Sequence, residues 1–290
     1  MSEASRYLLA LAKQKIQAYT NHPLAKAAII AGSTATGEAD YYSDIEMFIY
    51  YEQLPTKEEL QLARQRNKGS EPIRIFDGVS EGHFGEFYFV DGVQFQVGNS
   101  TIASCEREIA AVLEDLDVDS PRQKILSGIL DAIPVYGDDL ILQWKQKIAD
   151  YPDALAHAMV KKYLDFFPVW ALQSHLAARD ATLFYHQIRL EIGQNLLGVL
   201  AGLNQVYYST FQFKRMRKFI ESLNISPHNL YERIEQLFRQ EPLSASSEIQ
   251  ALVRETVDLI EQHMPEIDTS KVRAALDREE HIWSPTSNQA

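Results

Sequence analysis

Cysteine is nearly absent from this sequence. Cys105 is the only one, so no internal disulfide can form and no thiolate cluster can hold a metal. Long apolar runs are missing too: no stretch approaches ~18 consecutive apolar residues, the length a membrane-spanning helix needs. The opening MSEASRYLLALAKQKIQAY is interrupted by Lys13 and Lys15 and carries no basic leader. It reads as a first amphipathic helix rather than a secretion signal, and the expected compartment is the cytoplasm. Positive charge is in deficit, with 28 Lys and Arg against 40 Asp and Glu and a formal net charge of -12. That balance disfavours nucleic acid as a non-specific partner, because phosphates must be neutralised by cations. It steers cationic small molecules inward instead. Nothing in the sequence sets an oligomeric state.

What is present is the material of a packed protein. Hydrophobic residues make up 46% and charged residues 23%, and Tyr and Phe are plentiful. The length of 290 residues leaves room for one large domain or two of ordinary size. Strand signals cluster in the first hundred residues: 25–31 (AKAAIIA), 44–51 (DIEMFIYY), 72–76 (PIRIF), 86–90 (EFYFV) and 93–97 (VQFQV). Asp91-Gly92 between the last two is a strong hairpin signal. Residues 55–68 read as an exposed helix. From Thr101 onward the apolar residues recur at three- and four-residue intervals, as in ALAHAMVKKYLDFFPVWALQSHLAA and HQIRLEIGQNLLGVLAGLNQVYY. The expected fold is α+β, with a mixed-sheet domain over 1–110 and an all-α bundle of about six to eight helices over 111–290. The polar end SPTSNQA is expected to be loose.

The chemistry concentrates in Gly32-Ser33-Thr34-Ala35-Thr36-Gly37 and in Ser43-Asp44-Ile45-Glu46. Gly32 follows an apolar strand and permits a tight turn with close backbone approach. Asp44 and Glu46 stand two apart in a strand, so both side chains leave one face while Ile45 and Met47 enter the core. Two carboxylates aimed together repel unless a divalent cation lies between them. Hard oxygen ligands beside a phosphate-binding turn point to Mg²⁺ carrying a triphosphate.

GSTATGEADYYSDIEMFIY resembles the signature of the nucleotidyltransferase superfamily related to DNA polymerase β, in the form found in small bacterial antibiotic nucleotidyltransferases. The resemblance implies a catalytic domain followed by a helical one. It implies transfer of a nucleoside monophosphate from ATP or another nucleoside triphosphate to a hydroxyl of a small-molecule acceptor, with release of pyrophosphate. By that likeness Gly32, Ser33 and Ser43 bind the nucleotide, and Asp44 and Glu46 are catalytic and hold Mg²⁺. An acidic chain suits an aminoglycoside acceptor, with a lincosamide or another metabolite as alternatives. The family's third carboxylate has no counterpart in VQFQV, where Gln96, or else Gln94, takes the place. Glu86 is the substitute nearest in sequence. The glutamine keeps open a second reading, a nucleotide-binding regulator or antitoxin-like relative without turnover, and a separate alternative is an enzyme that nucleotidylates protein or RNA.

In the helical half, Glu191 is the candidate general base. The likeness of LNQVYYSTFQFKRM to helical domains of antibiotic-type relatives assigns Lys214 to the nucleotide phosphates and Asn204 and Tyr208 to a cleft lining. A solvated basic face is the competing reading for Lys214. Gly198 and Gly202 would let a neighbouring helix approach closely. Gly32 to Gly37 has the spacing of a Walker loop, but Glu38 and Ala39 stand where Lys and Ser or Thr are required. Asp115, Asp117 and Asp119 imitate a calcium loop without its glycine or closing glutamate. The eight histidines show no ligand pairing at helical spacing, although His83, near the hairpin, could line a cleft.

Overall fold

A strand buried on both faces reads as an almost unbroken run of small and apolar residues. Ala25–Ala31 is such a run, and in a computed structural model of the protein, which describes residues 1–278, it forms β1, an inner strand one place from the edge of a six-stranded sheet. The segment SPTSNQA and His281 lie outside the described residues. The other strands are β2 (Ile45–Tyr51), β3 (Arg74–Gly78), β4 (His83–Val90), β5 (Val93–Thr101) and β6 (Ile133–Tyr136). Their order across the sheet is β3-β4-β5-β2-β1-β6. β2 and β5 run parallel and every other neighbouring pair is antiparallel, so the sheet is mixed. At the β4–β5 turn Asp91 has φ 49° and Gly92 φ 83°, the two positive values that a two-residue hairpin of matching twist demands.

Side-chain alternation gives the sheet two unlike faces. Ile45, Met47, Ile49 and Tyr51 of β2, with Phe95 and Val97 of β5, enter a core closed by α1 (Glu3–Lys15), α2 (Gln17–Thr20) and α4 (Lys57–Arg66). Between these helices α3 (Gly32–Thr36) turns the chain at the end of β1. α5 (Ile102–Leu113), α6 (Ser120–Asp131) and α7 (Asp138–Ala149) pack beside β1 and β2, where Tyr50 meets Trp144 edge to face with ring centroids 4.8 Å apart.

The chain divides into two compact units, the first spanning Met1–Asp150 and the second starting at Tyr151. The first unit thus extends beyond the expected boundary at residue 110 by one strand and two whole helices, α6 and α7. The reason is β6, which has no strand signal beyond four residues and contains Pro134. It pairs with β1 at the sheet edge, a position where proline is tolerated, and so ties its flanking helices to the first unit.

The second unit is helical: α8 (Asp153–Tyr163), α9 (Thr182–Leu203), α10 (Met216–Glu221), α11 (Leu230–Arg239), α12 (Pro242–His263) and α13 (Ser270–Leu276). The long helical pattern around residues 154–178 is not one helix. α8 stops at Tyr163, and Pro168 precedes short irregular turns, consistent with a residue that cannot donate to a helix. α8 and α9 pack through glycine, as expected. A Cβ on Gly198 would lie 2.3 Å from the Tyr163 ring, and one on Gly202 would lie 3.0 Å from the Ala156 carbonyl oxygen. The chain is therefore α+β, a mixed-sheet unit followed by a helical one. No helix among the described residues is long and apolar enough to cross a membrane.

Candidate functional site

The site begins with the turn that ends β1. Gly32 has φ 64°, a left-handed conformation that suits glycine, and Gly37 closes α3 with φ 79°. The backbone carbonyl of Ser33 accepts from Gly37 and, at 3.0 Å, from the N–H of Glu38, which makes the Gly32–Gly37 segment a compact knot. A second reason for glycine at position 32 is space. A Cβ there would stand 2.9 Å from Cδ of Glu46 and 3.0 Å from its Oε2. The carboxylate of Glu46 thus rests against the bare backbone of Gly32, and the two halves of the sequence motif meet in space.

Ala31 of β1 lies opposite Glu46, and Gln96 of β5 lies opposite Glu46 on the other side. Asp44 is the residue immediately before β2 rather than its first member. Ile45 between the two acids is wholly buried, which fixes the alternation and leaves Asp44 and Glu46 on the face away from α1 and α4. Gln96 donates its amide N–H to Oδ2 of Asp44. Thr34, fully buried, donates to the backbone carbonyl of Asp44 at 3.3 Å and joins the turn to the acid. The Gln96 side chain therefore lies on the face of Asp44 and Glu46, as strand alternation predicts.

Two expected assignments change. Ser43 does not present a free hydroxyl to a nucleotide: its Oγ donates to Oδ1 of Asp40 and accepts from the Asp40 N–H, both at 2.9 Å, within a turn that sets up Asp44. Glu86 cannot replace the missing carboxylate. It pairs with Val97, so it points to the opposite face, where Arg64 donates to it at 2.6 Å. Burial pushes the Glu86 carboxyl above its ordinary range while Arg64 pulls it back, the mark of a structural ion pair. Asn204 and Tyr208 both have packing roles within the second unit. Asn204 pins the end of α9, donating to the carbonyls of Leu200 and Ile225 at 2.7 and 2.8 Å. Tyr208 is buried and donates to the Gln194 carbonyl at 3.0 Å.

Glu191 is exposed on α9, and Lys214 is exposed in the turn 210–215 with its ammonium 5.7 Å from the centre of the Phe211 ring. Both belong to the second unit. The acids, Gly32, Ser33 and Gln96 all belong to the first.

Among the described residues no group of three or more His, Cys, Asp or Glu side chains is placed to hold a metal ion. A closed protein cage is therefore absent. Mg²⁺ does not require one: it keeps several waters and takes one or two carboxylates plus substrate phosphates. Asp44 and Glu46, hard oxygen donors on one face with Glu46 against the Gly32 turn, fit that demand. Gln96 supplies a neutral amide and adds no negative charge for a second cation.

Sequence reasoning overlooked what lies beyond Gln96 on the same face. Strand register carries the row Glu46, Gln96, Phe87 and Arg74 across β2, β5, β4 and β3. The next row is Phe48, Gly98, Gly85 and Phe76. The hairpin Asp91-Gly92 already contained this signal, because a two-residue turn sets Val90 opposite Val93 and hence Phe87 opposite Gln96.

A crystal structure of a nucleotidyltransferase-like protein from Exiguobacterium sibiricum 255-15 is similar to this chain, with a TM-score of 0.41 and 10% sequence identity, covering 90% of this chain and 81% of that one. No family model matches the chain, and no curated protein matches it.

Proposed function

We propose that this protein is a Mg²⁺-dependent nucleotidyltransferase that moves a nucleoside monophosphate from ATP or another nucleoside triphosphate to a hydroxyl of a small molecule. The observation that carries the reading is the contact between the Glu46 carboxylate and the bare backbone of Gly32, with Asp44 two positions earlier on the same face. A glycine turn and two carboxylates are thereby drawn to one point from separate parts of the chain.

In the proposed reaction the acceptor oxygen forms a bond to the α-phosphorus. The bond from that phosphorus to the bridging oxygen of the β-phosphate breaks, pyrophosphate leaves with the electron pair, and the hydroxyl proton passes to solvent. Gly32 and Ser33 would receive the triphosphate at the turn that seats the Glu46 carboxylate. Asp44 and Glu46 would hold Mg²⁺, which when bound stabilises charge building on the phosphate oxygens. Gln96 orients Asp44 by donating to it and cannot accept the acceptor's proton. Positioning then supplies much of the remaining acceleration.

The test is pyrophosphate release from Mg-ATP and the other nucleoside triphosphates over a panel of hydroxylated acceptors. Turnover should be Mg²⁺-dependent and should fall by about a hundredfold or more in Asp44→Asn and in Glu46→Gln, with the fold retained. Turnover that survives both substitutions refutes the assignment. Gln96 in the acidic position favours a second reading, a nucleotide-binding regulator. Retained Mg-ATP binding without pyrophosphate release for any acceptor would decide for it.

A further inference from the structure

The sheet face that runs from Glu46 toward β3 is aromatic. Phe48 and Phe76 are 36% and 40% exposed, and Phe87 lies against Phe76 with ring centroids 5.2 Å apart. The strands between the outer rings carry no side chains in the second row. A Cβ on Gly98 would stand 2.6 Å from Cδ1 of Phe48, so that ring leans over the glycine, and a Cβ on Gly85 would stand 3.7 Å from Phe76. The result is a low aromatic floor starting beside the carboxylates. Arg74, whose guanidinium lies 4.4 Å from the centre of the Phe76 ring, is the ion at its far end. Neutral Gln94 and Gln96 line the near end on β5.

Direction distinguishes the occupant. Gly32 and Ser33 lie on the β1 side of Glu46, and the aromatic floor lies on its β5 side. In-line transfer places the incoming oxygen opposite the departing pyrophosphate. With the triphosphate at the Gly32 turn, the side opposite belongs to the acceptor. We propose that this face is the acceptor platform, and that the acceptor presents a planar apolar ring with a hydroxyl and no positive charge. The proposal rests on the nucleotidyl-transfer reading for its direction. Rings stack on exposed aromatic faces, and with Asp44 and Glu46 neutralised by Mg²⁺ in the proposed reaction the Arg74 guanidinium, already seated on Phe76, is the charge left on the face, which disfavours a second cation and accommodates a neutral or anionic group. On this local chemistry a neutral aromatic acceptor is favoured over an aminoglycoside, the acceptor that the acidic chain suits.

The experiment uses the full chain and reads binding separately from turnover. Naphthol, naphthol sulfonate and kanamycin are each titrated by ligand-observed NMR, with and without saturating Mg-ATP, against wild type and Phe76→Leu/Phe87→Leu, which keeps apolar bulk but removes both ring faces. Circular dichroism and ATP affinity check that the variant remains folded. The two naphthols should bind wild type in the presence of Mg-ATP, kanamycin should not, and the variant should weaken naphthol binding about tenfold with ATP affinity unchanged. In turnover the loss should fall on KM of an aromatic acceptor and leave kcat nearly intact. Kanamycin binding in preference to the naphthols overturns the proposal, as does naphthol binding that is indifferent to the two substitutions. Displacement of naphthol by Mg-ATP also overturns it, because the floor then takes the nucleobase. Ring-dependent naphthol binding with no pyrophosphate release for any acceptor would instead remove the transfer reading and leave the aromatic site.

Discussion

Gln96 sets the charge balance of the site, and its effect has a sign that can be measured. Its amide donates to Asp44 where a carboxylate would repel both Asp44 and Glu46. Gln96→Glu gathers three acids at one point. Without a cation such like-charge crowding at a half-exposed site costs about 1–2 kcal/mol at neutral pH, or about 3–6 °C in Tm. Scanning calorimetry should show that loss in metal-free buffer and a larger Mg²⁺-induced rise in Tm for the variant than for wild type. Equal responses to Mg²⁺ would mean that the acids do not converge on a cation. Much of this was legible beforehand: the i, i+2 spacing of Asp44 and Glu46 and the parity of Gln96 follow from strand alternation. The same parity, counted back from the Asp91-Gly92 turn, excludes Glu86, whose partner Arg64 sits on the helix-covered face. What no local pattern announced is that Asn204 pins the end of α9, since its contact with Ile225 depends on how the chain returns on itself, whereas the Ser43–Asp40 bond joins residues three apart and is a local turn.

At the scale of elements, glycine marks where helices approach. In α9 the alanine that would favour the helix by about 1 kcal/mol over glycine must at Gly198 place its Cβ 2.3 Å from the Tyr163 ring of α8. Overpacking of that kind costs about 1–3 kcal/mol and usually more than the propensity gain. Gly198→Ala should therefore destabilise the protein by about 1–2 kcal/mol net in urea unfolding. A stabilised variant would show that α8 and α9 are not in contact there. The close approach was readable from glycines four apart on one helix. By contrast β6 was not: four residues with a proline fall below any periodicity test, and only its pairing with β1 makes it a strand. That single strand relocates the boundary between the units, because the helices on either side of it follow the sheet.

For the whole molecule the governing quantity is a net charge of -12. A chain this acidic repels a nucleotide that is still anionic after binding Mg²⁺, and the repulsion acts at long range because it comes from many groups at once. The Debye length is about 30 Å at 0.01 M salt and about 8 Å at 0.15 M, so salt removes most of the repulsion while leaving short contacts at the phosphates largely intact. Mg-ATP affinity should therefore rise modestly between these ionic strengths at saturating Mg²⁺, as measured by calorimetric titration. Binding that releases condensed counterions from a nucleic acid behaves in the opposite way, weakening steeply as salt is added. A neutral ring such as naphthol should be insensitive to both effects, and its sulfonate should follow the nucleotide, weakly, because Arg74 offsets part of the repulsion locally. Mg-ATP affinity that falls across this range would mean that a local cluster of cations, rather than two carboxylates and a glycine turn, dominates nucleotide capture.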